Sequence, residues 1–127
     1  MIPTNPEVFT VQIKGEALQA LLEENMHHVL AGNPLEQSGG YLMRASGLSV
    51  VFRPNNPRGT RIEHLDIAGA PVDKTRTYTV ASAGNQDLSQ MDGRQGTGVS
   101  AIDAIRQYFK KEGTVHPALT HRKYIAQ

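Results

Sequence analysis

The stretch Val8-Phe9-Thr10-Val11-Gln12-Ile13-Lys14-Gly15-Glu16-Ala17-Leu18 changes its hydrophobic period partway along. Up to Lys14, the apolar residues Phe9, Val11 and Ile13 alternate with Thr10, Gln12 and Lys14, the period of two expected of a half-buried strand. Gly15 ends the alternation. From Glu16 to Ala31 the apolar positions are Leu18, Leu21, Leu22, Met26, Val29 and Leu30. Their i, i+3, i+4 spacing makes one continuous stripe on a helix. Gly32-Asn33-Pro34 is expected to close it, with Gly32 in the left-handed position beyond the last turn and Pro34 unable to continue the ladder.

Further along, short strand patterns and one more helix emerge. Glu36 to Gly40 reads as a loop, and Tyr41 to Phe52 holds two short apolar runs interrupted at Ser46-Gly47, where the glycine suggests a bulge or a close backbone approach. Arg53 to Gly59 is rich in Pro, Asn and Gly and precedes the run Ile62, Leu65, Ile67, so a long-loop hairpin is expected. Ala68-Gly69-Ala70-Pro71 turns the chain, and Thr77 to Ala81 has the β-branched and aromatic content of another strand. The fifteen residues Gly84 to Gly98 show no periodicity and are read as a loop. Ser100 is placed to cap a second helix, with Asp103 three residues on and Ile102, Ile105, Tyr108 and Phe109 as a core-facing stripe. Lys110 and Lys111 suit its last turn, Gly113 its end. A short strand is expected near Lys123-Tyr124-Ile125. The expected fold is α+β, a mixed sheet with two main helices, in a single domain spanning 1–127.

Composition removes several function classes. The 127 residues include 13 Lys+Arg against 12 Asp+Glu, so the net charge of +1 gives no domain-wide field for nucleic acid. The C-terminal stretch Arg106 to Lys123 is locally basic, and a solvated rim is the simpler reading. Without cysteine there is no thiolate nucleophile and no Cys-ligated metal. No apolar run approaches the ~18 residues of a membrane-spanning helix, and the start Met1-Ile2-Pro3-Thr4 lacks the pattern of a secretory signal. The chain is thus either cytosolic or a piece of a longer one.

The five histidines give no convincing metal site. His27 and His28 are adjacent on the helix and diverge by about 100°. Glu23 with His27, or Glu24 with His28, has i, i+4 spacing, but two ligands fall short of the three protein ligands of catalytic zinc. These pairs are read as a solvated polar helix face, and nothing converges on His64, His116 or His121. No Gly-x-Ser-x-Gly elbow is present. The cluster Asp92-Gly93-Arg94-Gln95-Gly96-Thr97-Gly98 precedes a helix yet lacks the Lys-Ser/Thr of a phosphate loop, and a connector is the preferred reading.

In order, Val11 to Leu18, Ser46 to Phe52, Gly59-Thr60-Arg61-Ile62, Ile67 to Asp73 and Lys74-Thr75-Arg76-Thr77-Tyr78-Thr79-Val80-Ala81 resemble the C-terminal domain of the 5′-nucleotidase family, over about Glu7 to Ile125. Within it the likeness is greatest to the Sox-pathway thiosulfohydrolases, which carry a Gly-Gly-Asp-Met-x-Arg-x-Gly-Gly segment after the first helix. The matching stretch here is Gly39-Gly40-Tyr41-Leu42-Met43-Arg44-Ala45-Ser46-Gly47. Arg44 falls on the motif's arginine, whose planar fork can pair two oxygens of a phosphate or sulfonate. Tyr41 stands where the motif has Asp, and Ser46 replaces one Gly.

The resemblance implies a substrate-recognition domain that binds an anionic small-molecule or carrier-linked ester through Arg44, Tyr41, Gly39, Gly40, Gly47 and Asn85. It also implies a partner N-terminal metallophosphoesterase domain that holds two divalent metals, Mn or Zn, and a periplasmic or extracellular location. The Asp-x-His and Gly-Asn-His-Asp/Glu metal motifs are absent from these 127 residues, so this chain is not expected to hydrolyse anything alone. Nucleotide-cleaving members sandwich the purine between two phenylalanines. The corresponding places read Pro3-Thr4-Asn5 and Ser82-Ala83-Gly84-Asn85, so weak adenosine binding is expected. Nucleic acid and membrane are not expected partners. The alternative is a stand-alone, non-catalytic ligand- or protein-binding module with the same fold.

Overall fold

Strand β1 (Glu7–Lys14) forms as its alternation requires: Phe9, Val11 and Ile13 are buried and Gln12 and Lys14 exposed. α1 (Gly15–Leu30) follows it in the chain. The computed structural model describes residues 5–115 and 122–127. These fall into two compact units, one containing 5–13 and 77–115, the other 14–76 and 122–127.

The second unit is built from α1, β2 (Leu48–Phe52), β3 (Ile62–Ile67), β4 (Ala70–Pro71) and β7 (Arg122–Ala126). Its sheet order is β4-β3-β2-β7. β2 and β3 are the antiparallel hairpin expected from the turn-rich Arg53–Gly59, whereas β2 and β7 run parallel, which makes the sheet mixed. Leu48, Val50, Phe52 and Leu65 are buried on this sheet and Leu18, Leu22 and Met26 on α1. Burial of such side chains supplies the unit's main stabilisation, roughly 1.5–3 kcal/mol each.

The start of α1 has no side-chain cap. Its first N–H groups are satisfied by backbone carbonyls instead: Gly15 donates to Arg76 at 2.9 Å and Glu16 to Lys74 at 3.1 Å. This close approach explains Gly15, since a Cβ there would lie 2.2 Å from the Asp73 carbonyl oxygen. The Asp73 carboxylate accepts from the Thr75 amide at 3.0 Å and hydroxyl at 2.8 Å, folding the turn. Those bonds hold its carboxyl below the usual range.

The first unit carries β1, β5 (Thr77–Ala83), α2 (Gln86–Ser89), β6 (Gln95–Ser100) and α3 (Ala101–Glu112), with sheet order β5-β1-β6. β6 is antiparallel to β1, with an irregular register between Glu7 and Phe9 where the Thr97 hydroxyl donates to the Val8 carbonyl at 2.6 Å. Arg94 lies over the buried Phe9 ring, 4.7 Å from its centroid. α3 begins as expected: Ser100 Oγ accepts the Asp103 N–H at 3.2 Å.

Five expectations need correction. Gly32 does not take the left-handed position; Ala31 is extended (φ −58°, ψ 134°) and ends α1. Tyr41–Met43 forms no strand, and Gly47 is a left-handed turn residue (φ 81°) with open space around it, not a bulge or close approach. Gly84–Gly98 is not a featureless loop, because it includes α2 and most of β6. The stripe on α3 is not core: Tyr108 is 53% and Phe109 52% exposed, and no residue of that helix is buried. Finally, Glu23 and His27 are not on a solvated face, being 6% and 8% exposed.

Candidate functional site

The candidate residues divide between the two units. Gly39, Gly40, Tyr41, Arg44 and Gly47 share the connection between α1 and β2, in one unit, and Asn85 belongs to the other. The glycine-bearing segment has no regular secondary structure, so its shape depends on a few specific bonds. Gly39 and Gly47 both have positive φ, and the Gly47 carbonyl accepts the Ala68 N–H at 2.8 Å, fixing the segment where it joins β2.

Met43 is the anchored point of this loop. Its N–H donates to Asn25 Oδ1 at 2.7 Å, and its carbonyl accepts the Tyr124 hydroxyl at 2.6 Å. Asn25 projects from the middle of α1, and its amide nitrogen also reaches the Tyr41 carbonyl at 3.5 Å. Tyr124 sits in β7 with its ring edge-on to Phe52, the centroids 6.2 Å apart. Burial pushes the Tyr124 phenol up to about 12, so it remains a donor at neutral pH.

Arg44 follows Met43 directly and is exposed. Its guanidinium carbon lies 5.5 Å from the centroid of the Tyr41 ring, within the range of a cation–π contact. Tyr41 itself is 76% exposed. Arg44, Ala45, Ser46 and Tyr124 line an open recess of about 460 Å³. A cation at the rim of a recess, held over an aromatic face, is suited to pairing with an oxyanion.

Asn85 has a local structural task. Its Oδ1 accepts the Leu88 N–H at 3.0 Å and its carbonyl accepts Ser89 at 2.9 Å, starting α2. The glycine cluster also differs from a phosphate cradle. Glu7 Oε1 accepts the Gly98 N–H at 3.1 Å, so a carboxylate already occupies the donor that an anion would use.

Among the described residues no group of three or more His, Cys, Asp or Glu could hold a metal ion. His28 pairs with Glu24 at 3.1 Å, His27 with Glu36 at 3.2 Å and His64 with Asp66 at 2.8 Å, each a separate contact. His116 and His121, like Pro3-Thr4, lie outside the described residues. As separate pairs, these side chains form no ligand set for a divalent metal. No helix among the described residues is long and apolar enough to cross a membrane.

Sequence reasoning missed Glu23, Asn25 and Tyr124. Glu23 accepts the Arg61 N–H at 3.1 Å and the Ile62 N–H at 2.6 Å, tying α1 to the hairpin. Their only sequence signal was polarity: Glu23 adjoins the apolar stripe of α1, and Tyr124 is an aromatic residue in a short strand that needs a partner for its hydroxyl.

Fold and loop together define an α+β domain that presents an arginine on an anchored loop, with no group of three or more potential metal ligands among the described residues. The chain belongs to the family described as "5′-nucleotidase, C-terminal domain", whose model matches residues 1–86. It is 27% identical over 128 residues to the snake venom 5′-nucleotidase of Crotalus adamanteus, covering 88% of this chain and 21% of that protein. Its fold is similar to the sulfate thiohydrolase SoxB of Thermus thermophilus, with a TM-score of 0.79 and 24% identity over 96% of this chain and 22% of the other. It is also similar to the NAD nucleotidase of Haemophilus influenzae, with a TM-score of 0.77 and 16% identity over 98% of this chain and 25% of that one. The chain therefore spans between a fifth and a quarter of the length of these proteins.

Proposed function

We propose that this chain is the substrate-recognition part of a metal-dependent hydrolase of the 5′-nucleotidase and thiosulfohydrolase type. Arg44, on the loop from Gly39 to Gly47, binds the phosphate or sulfonate side of an ester. The observation that carries the reading is Arg44 itself: within a domain of this family, it is an exposed arginine next to a residue, Met43, whose N–H and carbonyl are each held by a side chain. Tyr41 supports the guanidinium from below, and Gly39, Gly40 and Gly47 leave room for a ligand beside the backbone.

Hydrolysis itself is assigned to an N-terminal metallophosphoesterase domain with two divalent metals, Mn or Zn. Bound there, the metals would supply Lewis-acid and hydroxide chemistry. The relatives include venom enzymes, and a periplasmic or extracellular location belongs to the same proposal.

The test has two parts. The reading frame upstream of Met1 is expected to encode a two-metal phosphoesterase domain, and a start codon used at Met1 favours a stand-alone binding module. The enzyme containing this domain, assayed with Mn²⁺ against nucleotides, 2′,3′-cyclic nucleotides and protein-linked S-sulfonates, is expected to cleave one of these anionic classes. Inactivity on all three contradicts the proposal.

A further inference from the structure

We infer that Tyr124 and Asn25 are positioning residues for Arg44, setting the direction in which its guanidinium meets an anion. The inference rests on the anion-binding role proposed for Arg44. An arginine on an irregular loop can sample many directions, and its bidentate fork rewards only those that present both N–H groups to one oxyanion. Preorganisation therefore has to come from the backbone beneath it.

That backbone is fixed from two separate elements. The Met43 carbonyl and the Arg44 amide nitrogen share one peptide plane, so the Tyr124 hydroxyl bond at 2.6 Å orients the peptide from which Arg44 starts. The preceding peptide is held through the Met43 N–H by Asn25 at 2.7 Å. One anchor comes from a helix and the other from the strand paired in parallel with β2. The Tyr124 ring is itself located by its edge contact with Phe52 and lines the same recess as Arg44. A Phe at position 124 would keep the ring and its packing and lose only the donor.

The test is an NMR titration of the 127-residue chain with inorganic pyrophosphate, following the Arg44 amide and side-chain Nε–H signals. Wild type is expected to show a saturable shift, and Arg44→Ala to lose it. Tyr124→Phe is expected to weaken pyrophosphate binding about 3- to 10-fold, the loss of one hydrogen bond's orienting effect, while signals outside the loop stay in place. Asn25→Ala provides the second variant and weakens binding in the same direction. Adding Tyr124→Phe to Arg44→Ala is expected to have no further effect on the remaining affinity. Unchanged affinity in Tyr124→Phe, or an equal loss with and without Arg44, overturns the positioning role while leaving the Arg44 reading intact. Unchanged affinity in Arg44→Ala, or no saturable shift in wild type, overturns the Arg44 reading and this one with it.

Discussion

Glu23 Oε1 accepts the Ile62 N–H at 2.6 Å, and through this bond the first residue of β3 is held to the middle of α1. The second oxygen takes the neighbouring Arg61 N–H at 3.1 Å. One buried carboxylate thus satisfies two backbone donors at the irregular place where Phe52 faces Ile62 and the hairpin register slips. A buried carboxyl group is tolerated there because its hydrogen bonds offset the loss of water.

Removing that carboxylate is expected to be costly. Glu23→Ala leaves the two N–H groups without an acceptor and should lower stability by about 2–4 kcal/mol, whereas Glu23→Gln keeps one acceptor oxygen and should cost less. Urea unfolding of the three proteins measures this. A loss below about 0.5 kcal/mol in Glu23→Ala, the size of an ordinary surface change, contradicts it.

Gly15→Ala sets two effects against each other. Alanine is the better helix former by about 1 kcal/mol. Its Cβ would, however, meet the Asp73 backbone oxygen at 2.2 Å, which neither element can yield without losing the Gly15–Arg76 and Glu16–Lys74 bonds. The overlap outweighs the propensity, and a net loss of about 1–3 kcal/mol is expected. A melting temperature equal to or above wild type goes against this packing.

Tyr124 gives the protein a dependence on alkaline pH. Its phenol is pushed up to about 12 from an ordinary value of 10.0 by burial. The unfolded chain then loses the proton first, so the stability contributed is complete below pH 10 and disappears as pH rises toward 12. Thermal unfolding of wild type and Tyr124→Phe from pH 9 to 12 should show wild type losing more stability over that range. Parallel curves contradict the assignment.

Much of this was legible in the sequence, for reasons particular residues make clear. Phe9, Val11, Ile13, Leu18, Leu22 and Met26 announced their burial because a period of two and a period of 3.6 place them on single faces. β6 stayed hidden because Gln95 to Gly98 are all exposed, so an edge strand made of backbone bonds carries no apolar alternation. α3 shows the converse limit: its stripe was correctly periodic, yet periodicity describes a helix face and says nothing of what lies against it. Arg44 could be singled out through a motif, but Asn25 and Tyr124 lie 18 and 81 residues from Met43, and such long-range bonds leave no local pattern.

Purine recognition is expected to be poor. The two positions at which nucleotide-cleaving relatives are expected to place phenylalanines hold no aromatic residue here. Each stacking face contributes ~1–3 kcal/mol, so the loss of both lowers affinity by roughly two orders of magnitude or more. Calorimetry with adenosine checks this, and micromolar affinity contradicts it.

Arg44 is proposed to hold the anionic side of the substrate, and steady-state kinetics of the enzyme containing this domain test that role most directly. On its best anionic substrate, Arg44→Ala is expected to lower kcat/KM by about 10- to 100-fold, as the loss of a charge-assisted pair implies. Arg44→Lys should recover only part of this, since an ammonium cannot pair two oxygens in one plane. Unchanged kinetics in Arg44→Ala would contradict a role for Arg44 in holding the substrate.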